Sequence, residues 1–319
     1  MNNVAIACQG GGSHTAFTAG ALTEMFANWD EDDRLVGISG TSGGALNAVV
    51  AWSGYVTEGP EAAIDRLDAL WTDIAVDGPV ERTANLGAVW YRSIVESGLP
   101  LPRMSPYHVP LTSMAQSELK RLIERHVDFD RVRQLCRDPD RPRLVVGTVN
   151  VNAGEFETFE DGDVTAEAVL ASAAVPDLFR AVEINGHYHW DGLFSQNPPV
   201  HELMDLPDGR KPDELWVIQI NPQDREGEPR SLHAITDRRN ELAGNISLNQ
   251  ELAFIERVNE WIETGYLQEG PFTRTAIHRI EMDRQLHYSS KADRSREFID
   301  ELRALGSRRA EEFLANRRD

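Results

Sequence analysis

The chain has 319 residues, 41% of them apolar and 26% charged, which supports one large domain or two modest ones and excludes a disordered or collagen-like chain. Thirty-two basic against 52 acidic side chains leave a net charge of −20, which argues against nucleic acid or an anionic membrane as an electrostatic partner. Two cysteines, Cys8 and Cys136, make no disulfide framework, and neither a signal peptide nor an apolar run of the roughly 18 residues that a membrane span needs is present, so a cytoplasmic protein without a transmembrane segment is expected.

The first predicted strand is the apolar run 4–8, broken at once by Gln9-Gly10-Gly11-Gly12-Ser13. Over 14–28 the apolar residues Phe17, Ala21, Leu22 and Met25 recur at spacings of three and four, the period of a helix. A second buried strand at 35–38 leads into Gly40-Thr41-Ser42-Gly43-Gly44 and a helix over 45–52. Two successive strand–glycine turn–helix units predict parallel βαβ construction. After a helix at 62–71, the stretch 77–112 contains Pro100, Pro102, Pro106 and Pro110. It is too long for an ordinary connection and reads as an irregular segment, a candidate lid. A helix at 117–126, a strand at 144–149 with a hairpin partner at 156–159, and an alanine-rich helix at 166–174 stopped by Pro176 follow. Short strands at 182–184 and 188–190 and a buried strand at 215–220 come next. Beyond Arg230 the pattern is helical, with Leu242, Ile246, Leu252, Ile255, Val258 and Ile262 read as one apolar stripe and Phe298, Leu302, Leu305 and Phe313 as an inward face. The expected organisation is an α/β domain over 1–225, with helices on both faces of a mostly parallel central sheet, and a mainly helical extension over 226–319 packed on it.

Gly40-x-Ser42-x-Gly44 has the form of a nucleophile elbow, a tight strand-to-helix turn that exposes a serine hydroxyl between small neighbours. Its position between an apolar strand and a helix is the one the motif requires; an ordinary glycine-rich turn is the plainer reading. Gly10-Gly11-Gly12 offers closely spaced N–H groups at a helix start, suited to an anion or a developing oxyanion. A dinucleotide fingerprint fails because its third glycine would fall on Thr15, and no Gly-Lys-Ser/Thr of a Walker loop occurs.

A serine nucleophile needs a base. In an α/β-hydrolase that is a histidine after the acid, but His201, His233, His278 and His287 have no recognisable setting, and Ser42 follows only the second strand. The alternative lies in Ala171-Ser172-Ala173-Ala174-Val175-Pro176, His189-Trp190-Asp191-Gly192 and Asn197-Pro198-Pro199. An aspartate held at a strand end can approach a serine on a neighbouring strand. With an ordinary pKa of about 3.9 it is a weak base in water and needs a dry site. Asp191-Gly192 alone is also a common turn. His187-x-His189-x-Asp191 could face a metal, yet paired strand histidines are more often structural, and no metal is expected. Cys8 reads as core filler and His14 as a first-turn surface residue.

Taken in order, the Gly10-Gly11-Gly12 turn, the Gly40–Gly44 elbow, the Ala-Ser-Ala-Ala-Val-Pro block and Asp191-Gly192 resemble the patatin-like phospholipases and acyl hydrolases, over about residues 4–222. The resemblance implies a three-layer α/β/α fold and a Ser–Asp dyad without histidine, Ser42 as nucleophile and Asp191 as base. By position, the oxyanion donors would be the backbone N–H groups of Gly10, Gly11, Gly12 and Gly43. The implied activity is lipid ester or phospholipase A-type hydrolysis without cofactor. An intracellular polyhydroxyalkanoate is the alternative substrate, and a non-catalytic lipid- or granule-associated protein is the alternative of another class. The expected partner is therefore a lipid or polyester substrate at an interface, met at the periphery of a membrane or granule. Two positions depart from the family pattern: His14 and Thr15 stand where Arg/Lys-Gly is usual, and Leu193 where a small residue is usual.

Overall fold

The structure, a computed structural model, describes residues 1–76, 78, 105–176, 178–268 and 272–317. Most of the candidate lid at 77–112 lies outside the described residues. Its last part forms a single 3-10 turn at Pro106–His108 and the start of a helix, Pro110–His126, that opens on a proline as the first helical position permits.

Five strands form a parallel series. β1 (Asn2–Cys8) lies between β2 (Asp33–Thr41) and β7 (Glu214–Gln219), with β3 (Arg143–Asn150) beyond β2 and β8 (Ala276–Glu281) beyond β7. The central strands read as near-continuous apolar runs because both of their faces are covered. Successive residues alternate between two cores. Val4, Ile6 and Cys8 pack with α1 (Ala16–Ala27), α2 (Gly43–Glu58), α3 (Pro60–Ile74) and the C-terminal helix, while Ala5, Ala7, Leu215 and Val217 pack against residues 200–206 and 248–255 on the other side. The fold is a mixed α/β sheet with helices on both faces.

After α3 come α4 (Pro110–His126), α5 (Phe129–Leu135), α6 (Ala166–Ser172), α7 (His201–Met204), α8 (Leu232–Glu263) and α9 (Arg296–Arg317). The helix α5 and the edge strand β8 have no counterpart among the elements expected from the sequence. The first is a two-turn element defined by its Asp128 cap, whose carboxylate accepts from the Arg131 amide at 3.0 Å. The second buries only Ile280 among its six residues and so has no hydrophobic period to detect. The sheet thus continues across residue 225, and α9 packs tightly on α1.

The antiparallel strands position the site. β4 (Glu155–Glu160) takes one whole edge of β3 from Val145 to Asn150. The other edge is shared. β2 occupies it up to the pair Thr41–Gly147, and β6 (His187–Asp191), itself flanked by β5 (Val182–Ile184), enters from the opposite direction and stops at the pair Asp191–Thr148. Two strands therefore meet end to end along β3, and the residues at their meeting point are Thr41-Ser42 and Asp191-Gly192.

Candidate active site

Ser42 follows the last residue of β2 and caps α2 with φ 58° and ψ −129°, a left-handed conformation that costs a non-glycine residue roughly 1–3 kcal/mol. Its surroundings hold it there. The Ser42 amide donates to Ser172 Oγ at 2.8 Å, and that hydroxyl donates in turn to the Gly147 carbonyl at 2.7 Å. Space around the turn admits only glycine: a Cβ on Gly10 would stand 2.3 Å from the Thr41 carbonyl, and one on Gly44 2.2 Å from that of Cys8. The first glycine turn and the serine turn are thus pressed together, backbone to backbone.

Asp191 is fully buried. One carboxylate oxygen accepts from the Leu193 amide at 3.0 Å; the other, Oδ2, has no hydrogen-bond partner among the described residues. Loss of water pushes its pKa up to about 7, against the Leu193 amide and the nearby Ser42 hydroxyl, which both favour the ionised form. The hydroxyl lies near enough to act on the carboxylate while standing outside direct hydrogen-bond contact with Oδ2. A buried acceptor left open beside a serine is the arrangement a proton transfer uses.

Ser42 and Asp191 are brought together by one short segment. Ser172 Oγ holds the Ser42 amide, and two residues on, the Ala174 carbonyl accepts from the Asp191 amide at 3.1 Å. The Ala-Ser-Ala-Ala-Val-Pro block, which the sequence marks without assigning it a task, clamps both chain ends. Leu193 contributes its amide, so its side chain, unusual for the family, does not enter this contact.

The glycine turn has a second support. Gln9, fully buried, accepts from the amides of Ile220 and Asn221 and donates to Asn245 Oδ1 at 2.9 Å. Asn197 accepts from the Gly10 amide at 2.6 Å, and Asn221 donates to the Gly10 carbonyl at 3.1 Å. Of the four amides expected to face an oxyanion, that of Gly10 is therefore engaged inside the protein. Nothing among the described residues accepts from the amides of Gly11, Gly12 or Gly43. Asn197, Asn221 and Asn245 form this support from three separate stretches of chain. Only Asn197, beside its two prolines, is part of a motif visible in the sequence.

His14 corrects the expectation of a surface residue. It is buried, with Nε2 at 2.8 Å from Ser290 Oγ, and burial together with the charges of Lys291 and Arg225 holds its pKa well below the ordinary histidine range. The cover comes from the 3-10 turn Tyr288–Ala292, which the sequence offers no means of placing there. His189 is also buried, its ring between Glu157 Oε2 at 3.0 Å and the His187 carbonyl, a structural role. Among the described side chains no histidine hydrogen-bonds to Ser42 or Asp191. No helix among the described residues is long and apolar enough to cross a membrane.

No curated protein sequence matches the chain. Among solved structures the chain is similar to VipD from Legionella pneumophila, at 14% identity and a TM-score of 0.42, covering 97% of this chain and 67% of that one. It is also similar to the type III effector protein ExoU, at 14% identity and a TM-score of 0.37, with 98% and 53% covered. For ExoU in its complex with SpcU from Pseudomonas aeruginosa the values are 17%, 0.38, 99% and 52%, so the chain spans about half the length of ExoU. The family described as patatin-like phospholipase matches residues 6–204, the stretch that contains the glycine turn, the elbow, the clamp segment and Asp191, and the chain belongs to the patatin-like phospholipase family.

Proposed function

We propose that this protein is a serine acyl hydrolase acting on lipid esters through Ser42 and Asp191. The observation that carries the reading is the pairing of a serine in a left-handed elbow with a buried carboxylate that keeps one oxygen open beside it. Ser42 Oγ attacks the ester carbonyl as its proton passes to Asp191 Oδ2. The amides of Gly11, Gly12 and Gly43 stabilise the tetrahedral oxyanion, and Gly10 shapes the loop. Asp191 returns the proton to the departing alcohol, leaving an acyl group on Ser42. It then takes a proton from water as the water oxygen attacks the acyl carbon, and gives that proton to Ser42 Oγ as the acyl–Oγ bond breaks, which releases the acid and restores the serine. The step needs no metal or organic cofactor.

Hydrolysis of a short p-nitrophenyl ester tests the assignment. Ser42→Ala and Asp191→Asn are each expected to lower kcat/KM by about a thousandfold or more while the fold persists. Retained turnover in either variant means the dyad is misassigned. Labelling by a fluorophosphonate separates the enzyme from a lipid-associated binder, since only an activated Ser42 reacts. Fatty acid release from phosphatidylcholine is expected to exceed hydroxyacid release from amorphous polyester granules; the reverse order makes the polyhydroxyalkanoate the substrate.

A further inference from the structure

We propose that the outward face of α8 seats on an uncharged lipid–water surface, a docking role that rests on the lipid-hydrolase reading above. The inward face of this 32-residue helix carries Asp237, Glu241, Asn245, Leu248 and Leu252, all buried. The opposite face carries Leu232, Ile235, Leu242 and Ile246, which at 100° per residue fall within an arc of about 80°. These four, exposed by 71, 45, 39 and 53%, include every exposed leucine and isoleucine among the described residues, and Phe254, 62% exposed, continues the strip. Single apolar residues on a surface need no explanation; a whole class of them aligned on one helix does.

Charge and position identify the occupant. From Leu232 to Arg257 the exposed charged residues are Arg239, Glu256 and Arg257, so the strip carries one acid in a chain with 52. The net charge of −20 repels an anionic surface, and two arginines offset little of it, which leaves an uncharged or zwitterionic one. The same helix reaches the site. A Cβ on Gly244 would touch the Asn197 side chain and the Leu193 carbonyl, and Asn245 accepts from Gln9 behind the glycine turn. A surface resting on Leu242 and Ile246 therefore lies about one helix diameter, some 10–12 Å, from the loop that follows Asp191.

Pelleting of the full chain with sucrose-loaded phosphatidylcholine vesicles tests this, performed in the Ser42→Ala background so that lipid is not consumed and binding is read apart from catalysis. The parent protein is expected to pellet, and Leu242→Ser with Ile246→Ser to raise its apparent Kd at least about tenfold. Leu232→Ser with Ile235→Ser should weaken binding in the same way, and thermal melts show that each variant is folded. Absence of esterase activity in the wild type would remove the proposed function and leave this measurement intact. The docking proposal is overturned if the parent does not pellet, if the variants pellet equally well, or if binding requires anionic lipid. It is equally overturned if sedimentation shows a dimer that the Leu242→Ser, Ile246→Ser variant dissolves, since a second copy then covers the strip.

Discussion

In the proposed mechanism, the buried carboxyl of Asp191 sets the demands of chemistry against those of stability. Its carboxyl has a pKa of about 7 in the folded chain against an ordinary 3.8. Between those values the native state holds a proton that the unfolded chain has released, so stability falls as pH rises through this window and the full cost is present above pH 7. About three pKa units correspond to a ceiling of ~4 kcal/mol. The proposed proton transfer from Ser42 needs the ionised form, so kcat/KM is expected to rise with pH and reach half its maximum near pH 7. Asp191→Asn keeps an acceptor for the Leu193 amide and removes the buried charge. The Asp191→Asn variant should therefore melt several degrees above wild type at pH 8, with the two converging near pH 4; equal melting points at pH 8 would show that the carboxylate is not desolvated. Ser172 lends itself to a separate test. Ser172→Ala strands the Ser42 amide and the Gly147 carbonyl, and should cost about 1–3 kcal/mol of stability and lower kcat with little change in KM, because the elbow loses its support. An unchanged kcat would make Ser172 a packing residue only. The turns that carry Ser42 and Asp191 were legible in the sequence, and the structure brings the strands that end in them together along β3. The task of Ser172 was not legible, because its partners stand 130 and 25 positions away.

Elements with strong periodicity were legible, and the weakly patterned ones were not. β1, β2, β3 and β7 declare themselves as apolar runs, and α1 by its three–four spacing. The arrangement that matters for the site, β2 and β6 meeting on one edge of β3, is a property of pairing and leaves no trace in any single strand. The apolar stripe read along 242–262 fails for a geometric reason. At 100° per residue those six positions fan across about 240°, too wide for one interface. Leu252, Ile255 and Ile262 turn inward, while Leu242 and Ile246 turn out. The contact between α1 and α9 shows how firmly the C-terminal helix is built in. A Cβ on Gly20 would stand 1.9 Å from the Arg303 carbonyl, and one on Gly306 2.0 Å from that of Phe17. Each helix thus uses its glycine to admit the backbone of the other. Gly306→Ala favours the isolated helix by about 1 kcal/mol, yet should destabilise the protein by about 1–3 kcal/mol because the helices must separate. A denaturation midpoint at or above that of wild type would show that the two backbones do not approach so closely.

Across the whole molecule the net charge of −20 sets a long-range repulsion against a limited number of well-placed ion pairs. The strongest are enclosed. Arg317 holds Asp33 through two bonds of 2.6 Å and also meets Glu214, joining the last helix to the starts of β2 and β7. Arg225 and Lys291 together neutralise the buried Asp237 and Glu241 on the inner face of α8. Pairs such as Arg230–Glu228 and Arg121–Glu118 lie in solvent, where each contributes about 0–1 kcal/mol and less as salt rises. Salt therefore acts in two opposing directions. It weakens exposed pairs that were worth little, scarcely reaches the enclosed ones, and shortens the range of the repulsion among unpaired acids from about 10 Å at 0.1 M to about 3 Å at 1 M. Relief of the repulsion outweighs the loss of exposed pairs, because 20 charges remain unmatched over one surface. The melting temperature at pH 7 is accordingly expected to climb between dilute buffer and molar KCl. A melting temperature that stays level or drops over that range would mean that the acids are spaced widely enough not to repel appreciably.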